Sequence, residues 1–237
     1  MKYCVIYIKT QTASFRNPEF QNFHKSFALP PPTTVMGLAG AALGLSPKKA
    51  QEFFDGKGFE MGIAGTSTGK AKDLWKYRTL DPSKPTSVLT REFLFDNNFY
   101  FAFGNDDEQL VNVIKEAFDT PHYALTLGNS DSIAKIVKTD IIEQLSAENN
   151  IKNCLLVGKA IEQTLQKMSA GEAVDIFIEF RENMIYDLPT RFEYESDYGV
   201  RRVTKREAFT FVGSRILLAE KQRGIAFANQ FLPVFSI

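Results

Sequence analysis

Apolar and polar positions alternate along "KYCVIYIK", and the run is rich in β-formers, so Lys2 to Lys9 reads as a strand. Thr10 to Pro32 reads as a long loop carrying Arg16, His24 and Lys25. The three prolines of "SFALPPPTTVMGLAGAALGL" hold the chain extended. Thr33 and Thr34 then serve as N-caps for an apolar helix, Thr34 to Leu45, closed by Gly44. "SPKKAQEFF" predicts a second short helix with Ser46 as N-cap and Pro47 in the first turn. Phe59 to Gly65 reads as a strand. Thr66 to Thr90 has little periodicity, which fits a loop or an extended hairpin. Arg91–Phe95 and Phe99–Phe103 read as two strands around the turn "DNN". Asp107 to Phe118 has helical spacing of Leu110, Val111, Ile114, Ala117 and Phe118, and His122 to Leu127 reads as a strand before the turn "GNSDS".

This order gives an α+β chain close to a ferredoxin-like or RNA-recognition-motif-like βαββαβ unit. The unit spans 1–140, with a basic thumb inserted at about 66–90. A smaller β-rich extension, 141–237, packs on it. Within the extension Ile151–Met168 reads as a helix, and Val174–Phe180 and "RRVTKREAFTFVG" read as strands. No internal repeat is visible.

Three helical glycines, Gly37, Gly40 and Gly44, lie near one face, and each costs about 1 kcal/mol against Ala in a helix interior. Something must therefore come close to that helix, either another backbone or a ligand. Composition changes the picture little: 237 residues, 44% hydrophobic, 24% charged. The 28 basic and 28 acidic residues cancel, so any nucleic-acid site must be a local patch. Two cysteines in apolar runs, Cys4 and Cys154, argue for buried free thiols rather than a secreted disulfide scaffold. No apolar run nears the length of a membrane span, and the N-terminus reads as a strand, so a cytoplasmic protein is expected. The 21 phenylalanines, concentrated in runs such as "REFLFDNNFYFAF", suit an aromatic sheet core.

Candidate chemistry is sparse. "AGTSTGKA" resembles a phosphate loop but is one residue short between its glycines, and Ala71 stands where a magnesium-binding hydroxyl belongs; a flexible basic loop fits better. The two histidines and two cysteines are too scattered to hold a metal, and no cofactor is implied. His24 and Lys25, with a tyrosine, would suffice to cleave RNA without metal; the alternative is a histidine with no catalytic role. The insertion interleaves Lys70, Lys72, Lys76, Arg78 and Lys84 with Trp75 and Tyr77, offering cations for phosphates and rings for stacking, or simply a solvated face. The helix start at Thr33–Thr34 offers free N–H groups and a dipole to an anion, or else tight helix-on-sheet packing.

Taken together, these stretches resemble CRISPR-associated protein family five, the small RAMP subunit of type I Cascade. "SFALPPPTTVMGLAGAALGL" is similar to the family's signature. "TREFLFDNNFYFAF" resembles its Arg-Glu-aromatic strand pair, and "TPHYALTLGNSDS" its Pro-x-Tyr-x-x-x-Leu-Gly segment with a polar loop. The opening strand followed by "SFRNP" agrees as well. The resemblance covers about the first 140 residues and weakens beyond.

The resemblance implies a non-catalytic subunit that holds the five-prime handle of the guide RNA and caps the backbone filament. Its partners would be the backbone RAMP subunits and the large subunit, with target DNA met only through the complex. Carried over by region, RNA contacts fall on Lys70, Lys72, Trp75, Lys76 and Arg78 of the thumb; on Thr33, Thr34, Met36 and Gly37 at the first helix; and on Gly128, Asn129 and Ser130. Arg16, Lys25 and Arg91 are additions to that set. One branch of the family, in type I-C systems, cleaves repeat RNA with a Tyr-Lys-His set. Its Lys-His pair maps near "TREFL", where this chain has Arg91 and Glu92 and no histidine. The chain therefore looks most like the type I-B group, and a metal-independent endoribonuclease is the alternative.

Overall fold

The computed structural model describes residues 1–163, 183–213 and 215–237. The first half contains β1 (Lys2–Ala13), β2 (Phe23–His24), α1 (Pro32–Ala42), α2 (Pro47–Phe54), β3 (Glu60–Arg78), β4 (Thr86–Asn105), α3 (Glu108–Asp119) and β5 (Lys135–Ile142). The second contains β6 (Ser146–Ile151), β7 (Cys154–Val157), β8 (Met184–Tyr194), β9 (Arg201–Val212), β10 (Ile216–Phe227) and β11 (Gln230–Ser236).

Alternation along β1 sends side chains to two cores. Cys4, Ile6 and Ile8 join Met61, Ile63, Phe99, Phe101 and Phe103 against α1 and α3. Tyr3 and Val5 join Ala64, Tyr100 and Ala102 against Ile151, Ile225 and Leu232 of the C-terminal strands. One face of the sheet is thus covered by the helices together with Leu188, Phe209 and Phe211 of β8 and β9, and the other by residues of β6, β10 and β11. Strand order runs β5-β1-β4-β3-β11-β10-β6, and neighbouring strands along it are antiparallel. β7 bridges β3 and β9, and β8 and β9 form a second hairpin. Cys4 and Cys154 are buried free thiols, and desolvation pushes the Cys4 thiol up to about 12. Among the described residues no helix is long and apolar enough to cross a membrane.

Several local expectations hold. The Ser46 side chain accepts from the Lys49 N–H at the start of α2. α3 follows an Asp107 cap, and the "RRVTKREAFTFV" strand is β9. Others are corrected. Thr33 and Thr34 are not caps: α1 starts at Pro32 behind Pro31, with no side-chain cap bond, and the Pro31 carbonyl already accepts from the Thr34 N–H at 2.9 Å. The fixed φ of proline suits the first helical position, so the run starts the helix rather than preceding it. The expected loop from Thr10 begins later, because β1 stays paired with β4 as far as Ala13 opposite Leu94.

"DNN" does not reverse the chain. β4 is one strand, and Asn97 pairs with Ser67 while Phe95 pairs with Gly69. Asp96, at φ 51°, takes up one left-handed position inside it and accepts from the Thr68 hydroxyl at 2.8 Å. "AGTSTGKA" is part of β3, not a flexible loop. His122–Leu127 is not a strand. Leu125 and Leu127 are buried, as their spacing suggests, but in a loop with a single bridge from Thr126 to Ile133. The edge of β1 is taken instead by β5. Ile151 ends β6, and Cys154–Val157 is a strand where a helix is expected; helical structure begins only at residues 160–163. The remainder of that helix, and Val174–Phe180, lie outside the described residues.

The helical glycines have separate explanations. A Cβ on Gly40 would sit 2.3 Å from the Ala50 Cβ, so the close neighbour is α2. Gly44 turns the chain at φ +73° against the His122 ring. Gly37 faces open space.

Candidate nucleic-acid interface

β3 and β4 outrun the core. β1 leaves β4 at Leu94, and β3 and β4 continue paired from Ala71 opposite Phe93 to Arg78 opposite Thr86, so the outer hairpin extends roughly 25 Å at ~3.3 Å per residue. Of the two options left open for this stretch, the extended hairpin is the one found. Asp81 closes its tip, accepting from the Ser83 N–H and hydroxyl. The base is braced by β2, which pairs parallel to β4 through Phe23–Thr90 and His24–Arg91.

Residues interleaved in sequence fall on opposite faces of a strand. Lys70, Lys72, Leu74, Lys76 and Arg78 share one face with Val88 and Leu94, which stand opposite Lys76 and Lys70. Among the described residues none of those four cations has a carboxylate within ion-pair distance, and Lys72 Nζ lies 5.0 Å over the Phe23 ring. Leu74 and Val88 are exposed between them. Trp75 and Tyr77 lie on the other face, tilted against each other at 5.3 Å, and His24 approaches Trp75 at 5.8 Å. The hairpin therefore has a cationic side and an aromatic side.

Arg91 belongs to the aromatic side and is already engaged. Its Nε donates to Asp73 Oδ1 at 3.1 Å, and its Nη2 to Asp73 Oδ2 at 2.6 Å and to Asp131 Oδ2 at 3.1 Å. His24 titrates below the usual histidine value because it is desolvated and because Arg16 and Arg91 oppose a third positive charge.

At the foot of the cationic side lies a groove of about 530 Å³. Lys25, Lys70, Thr66, Ser67, Met184 and Tyr186 are among its walls. Ser67 Oγ is buried there without a hydrogen-bond partner.

The remaining candidate residues lie elsewhere. Thr33, Thr34 and Gly37 line a second groove, while Met36 is buried in the helical core and reaches two smaller pockets. Pro31 and Pro32 carry no N–H, so α1 begins with two fewer free donors than an ordinary helix, and its start is a poor anion site. Gly128, Asn129 and Ser130 form a loop seated on the end of β1, where the Ser14 N–H donates to the Leu127 carbonyl at 3.1 Å. Arg16 is exposed on a bridge to Ser26, and Lys25 Nζ lies 4.9 Å over the Phe20 ring. Of the expected residues, Lys25 and Lys70 meet in the groove at the hairpin, and Thr33, Thr34 and Gly37 meet in the groove beside α1. Sequence reasoning missed Ser67 and Tyr186, whose only signal is position on strands that become neighbours after folding.

Comparison with known proteins fits this architecture. No curated protein matches the sequence. A chain from a solved "CRISPR RNA-guided surveillance complex" shares the fold at TM-score 0.51 and 15% identity, covering 92% of this chain and 91% of that one. A CRISPR protein from Archaeoglobus fulgidus, known from a crystal structure, superposes at TM-score 0.55 and 10% identity over 100% of both chains. The family model described as "CRISPR-associated protein (Cas_Cas5)" matches residues 5–206. With most of its length matched by that model, the chain belongs to the CRISPR-associated protein (Cas_Cas5) family.

Proposed function

We propose that this chain is a non-catalytic RNA-binding subunit of a type I Cascade effector, holding the five-prime handle of the guide RNA and capping the backbone filament. The observation that carries the reading is the row of Lys70, Lys72, Lys76 and Arg78 on one side of the hairpin, leading into the groove lined by Lys25 and Lys70. Cations without carboxylate partners are free to replace the counterions of a phosphate backbone. The order β5-β1-β4-β3, with α1 and α3 on one face, supports a ferredoxin-like unit over 1–140, on which 141–237 is an added layer. Backbone subunits and the large subunit are the expected partners, in the cytoplasm. His24 against Trp75 and Lys25 over Phe20 are both engaged by neighbouring rings, which favours a binding role over the endoribonuclease alternative.

The test is retention of labelled repeat RNA by the full chain across a salt series, without metal, with the RNA then run on a denaturing gel. Intact RNA with log affinity falling about 2–3 per log unit of salt fits three or four phosphate contacts. Charge reversal at Lys70, Lys72 and Lys76 together should flatten that slope and weaken binding. Salt-independent retention, or cleavage lost in His24→Ala, would overturn the reading.

A further inference from the structure

The geometry points to a second RNA contact that depends on the base: the groove between α1 and the β8–β9 hairpin receives one unpaired nucleotide, its base against Tyr123 or Tyr198 and its phosphate on Arg201. This rests on the RNA-binding reading above and adds residues from the C-terminal half to it.

The groove has a volume of about 450 Å³, within the range of small-ligand sites. Gly37, Ala41 and Ala50 give it a floor of small residues. Gly37 is the telling residue. A helical glycine costs about 1 kcal/mol against Ala, yet nothing lies within 4 Å of where its Cβ would be. Packing within the chain accounts for Gly40 and Gly44 but not for this one. A flat ligand resting on the bare helix does account for it.

The walls are held in place. Gln51 Nε2 donates to the Phe192 carbonyl at 2.8 Å, and the Phe192 N–H donates to Gln51 Oε1 at 2.8 Å, so α2 is clamped to β8. Lys49 reaches Asp197 at the hairpin tip at 3.7 Å. The Arg201 guanidinium lies over the Phe192 ring at 4.5 Å. Tyr123 is fixed through His122, whose ring meets it edge-on at 4.5 Å and whose N–H donates to the Ala42 carbonyl at 2.9 Å. Tyr123 and Tyr198 nevertheless stay 49% and 76% exposed. Two wet aromatic rings, a positioned cation and, among the described residues, a wall without any carboxylate suit a base and its phosphate better than a peptide.

The full chain is titrated with a short labelled oligoadenylate and with an abasic ribose-phosphate strand of equal length. Wild type should prefer the base-bearing strand by about tenfold. That preference should vanish in the Tyr123→Ala/Tyr198→Ala double variant and in Gly37→Leu, which fills the groove without disturbing packing. Arg201→Ala should weaken both strands. Charge reversal at Lys70, Lys72 and Lys76 should also weaken both, while leaving the preference intact. If folded Gly37→Leu and tyrosine variants keep the wild-type preference, the groove is not a base site, although RNA binding by the hairpin stands. If wild type binds neither strand, the RNA-binding reading itself fails. Groove variants that bind both strands like wild type but no longer co-purify with the backbone subunit would make the groove a protein interface and overturn the proposal.

Discussion

Arg91 and Asp73 stand directly opposite each other across β3 and β4, and the guanidinium grips the carboxylate through two nitrogens. Asp131 holds the same guanidinium from the loop after α3, so one cation ties the hairpin base to the strand layer. The Arg91 side chain is only 12% exposed, and Asp73 is more open, which screens the pair. A double-mutant cycle on Arg91→Ala and Asp73→Ala should return a coupling of about 1 kcal/mol in denaturant melts. Asp73→Asn should meanwhile loosen the arginine and remove an anion from the hairpin, tightening RNA binding a few-fold at low salt. A coupling near zero would mean the fork contributes nothing to stability. Weaker RNA binding in Asp73→Asn would mean that the fork holds the hairpin in its binding shape.

The same substitution should have opposite signs at two glycines of α1. Gly37→Ala adds a methyl to open space and recovers helix propensity, so it should stabilise by about 1 kcal/mol. Gly40→Ala places a Cβ 2.3 Å from the Ala50 Cβ and must push α2 away, costing about 1–3 kcal/mol. Thermal melts of the two variants measure this directly. Equal shifts would mean that α1 and α2 are less closely packed than this geometry requires.

Much of the core was legible in the sequence because period determines face. The alternation of Lys2–Lys9 located β1, and the spacing of Leu110, Val111, Ile114 and Phe118 located α3, with its Asp107 start one residue from the true helix. Boundaries set by pairing partners were not legible. β4 runs through "DNN" because β1 and β3 hold it on both sides, a constraint absent from local turn chemistry. The candidate interface was half legible. The basic insertion was visible as a charge run, but its splitting into a cationic and an aromatic side requires knowing that it is a strand. The engagement of Arg91 requires knowing which residue faces it. Tyr198 and Arg201 gave no warning, since nothing local says that the turn between β8 and β9 lies beside α1.

Gly128 was carried over as an RNA contact, and the structure gives its glycine a different cause. At φ +100° the residue is in a conformation that other side chains rarely adopt, and a Cβ would lie 1.7 Å from the Ser14 carbonyl oxygen. Gly128→Ala should therefore destabilise by at least about 2 kcal/mol and displace the loop from the end of β1. Calorimetry gives the first quantity, and amide exchange at Ser14, whose N–H donates to Leu127, gives the second. A variant as stable as wild type, with Ser14 still protected, would return Gly128 to the list of residues needed only for RNA.

His24 supplies the pH-dependent prediction. Desolvation first, then Arg16 and Arg91, hold its titration below the ordinary value of 6.5 in the folded chain. In the unfolded chain the ring titrates normally, so on acidification the unfolded state takes up its proton first. Stability from this site is full above the ordinary value and is lost as pH falls from there through the lower folded value. Proton NMR of the His24 ring should give a midpoint below 6.5, and Arg16→Gln should raise it by removing one repelling charge. The same shift keeps the ring neutral at physiological pH, so phosphate affinity should rest on the lysines and Arg78 and change little in His24→Gln. A midpoint at or above the ordinary value would mean that the ring carries charge when RNA arrives. His24 would then add a pH-sensitive cation on the aromatic side, and RNA retention would strengthen on mild acidification.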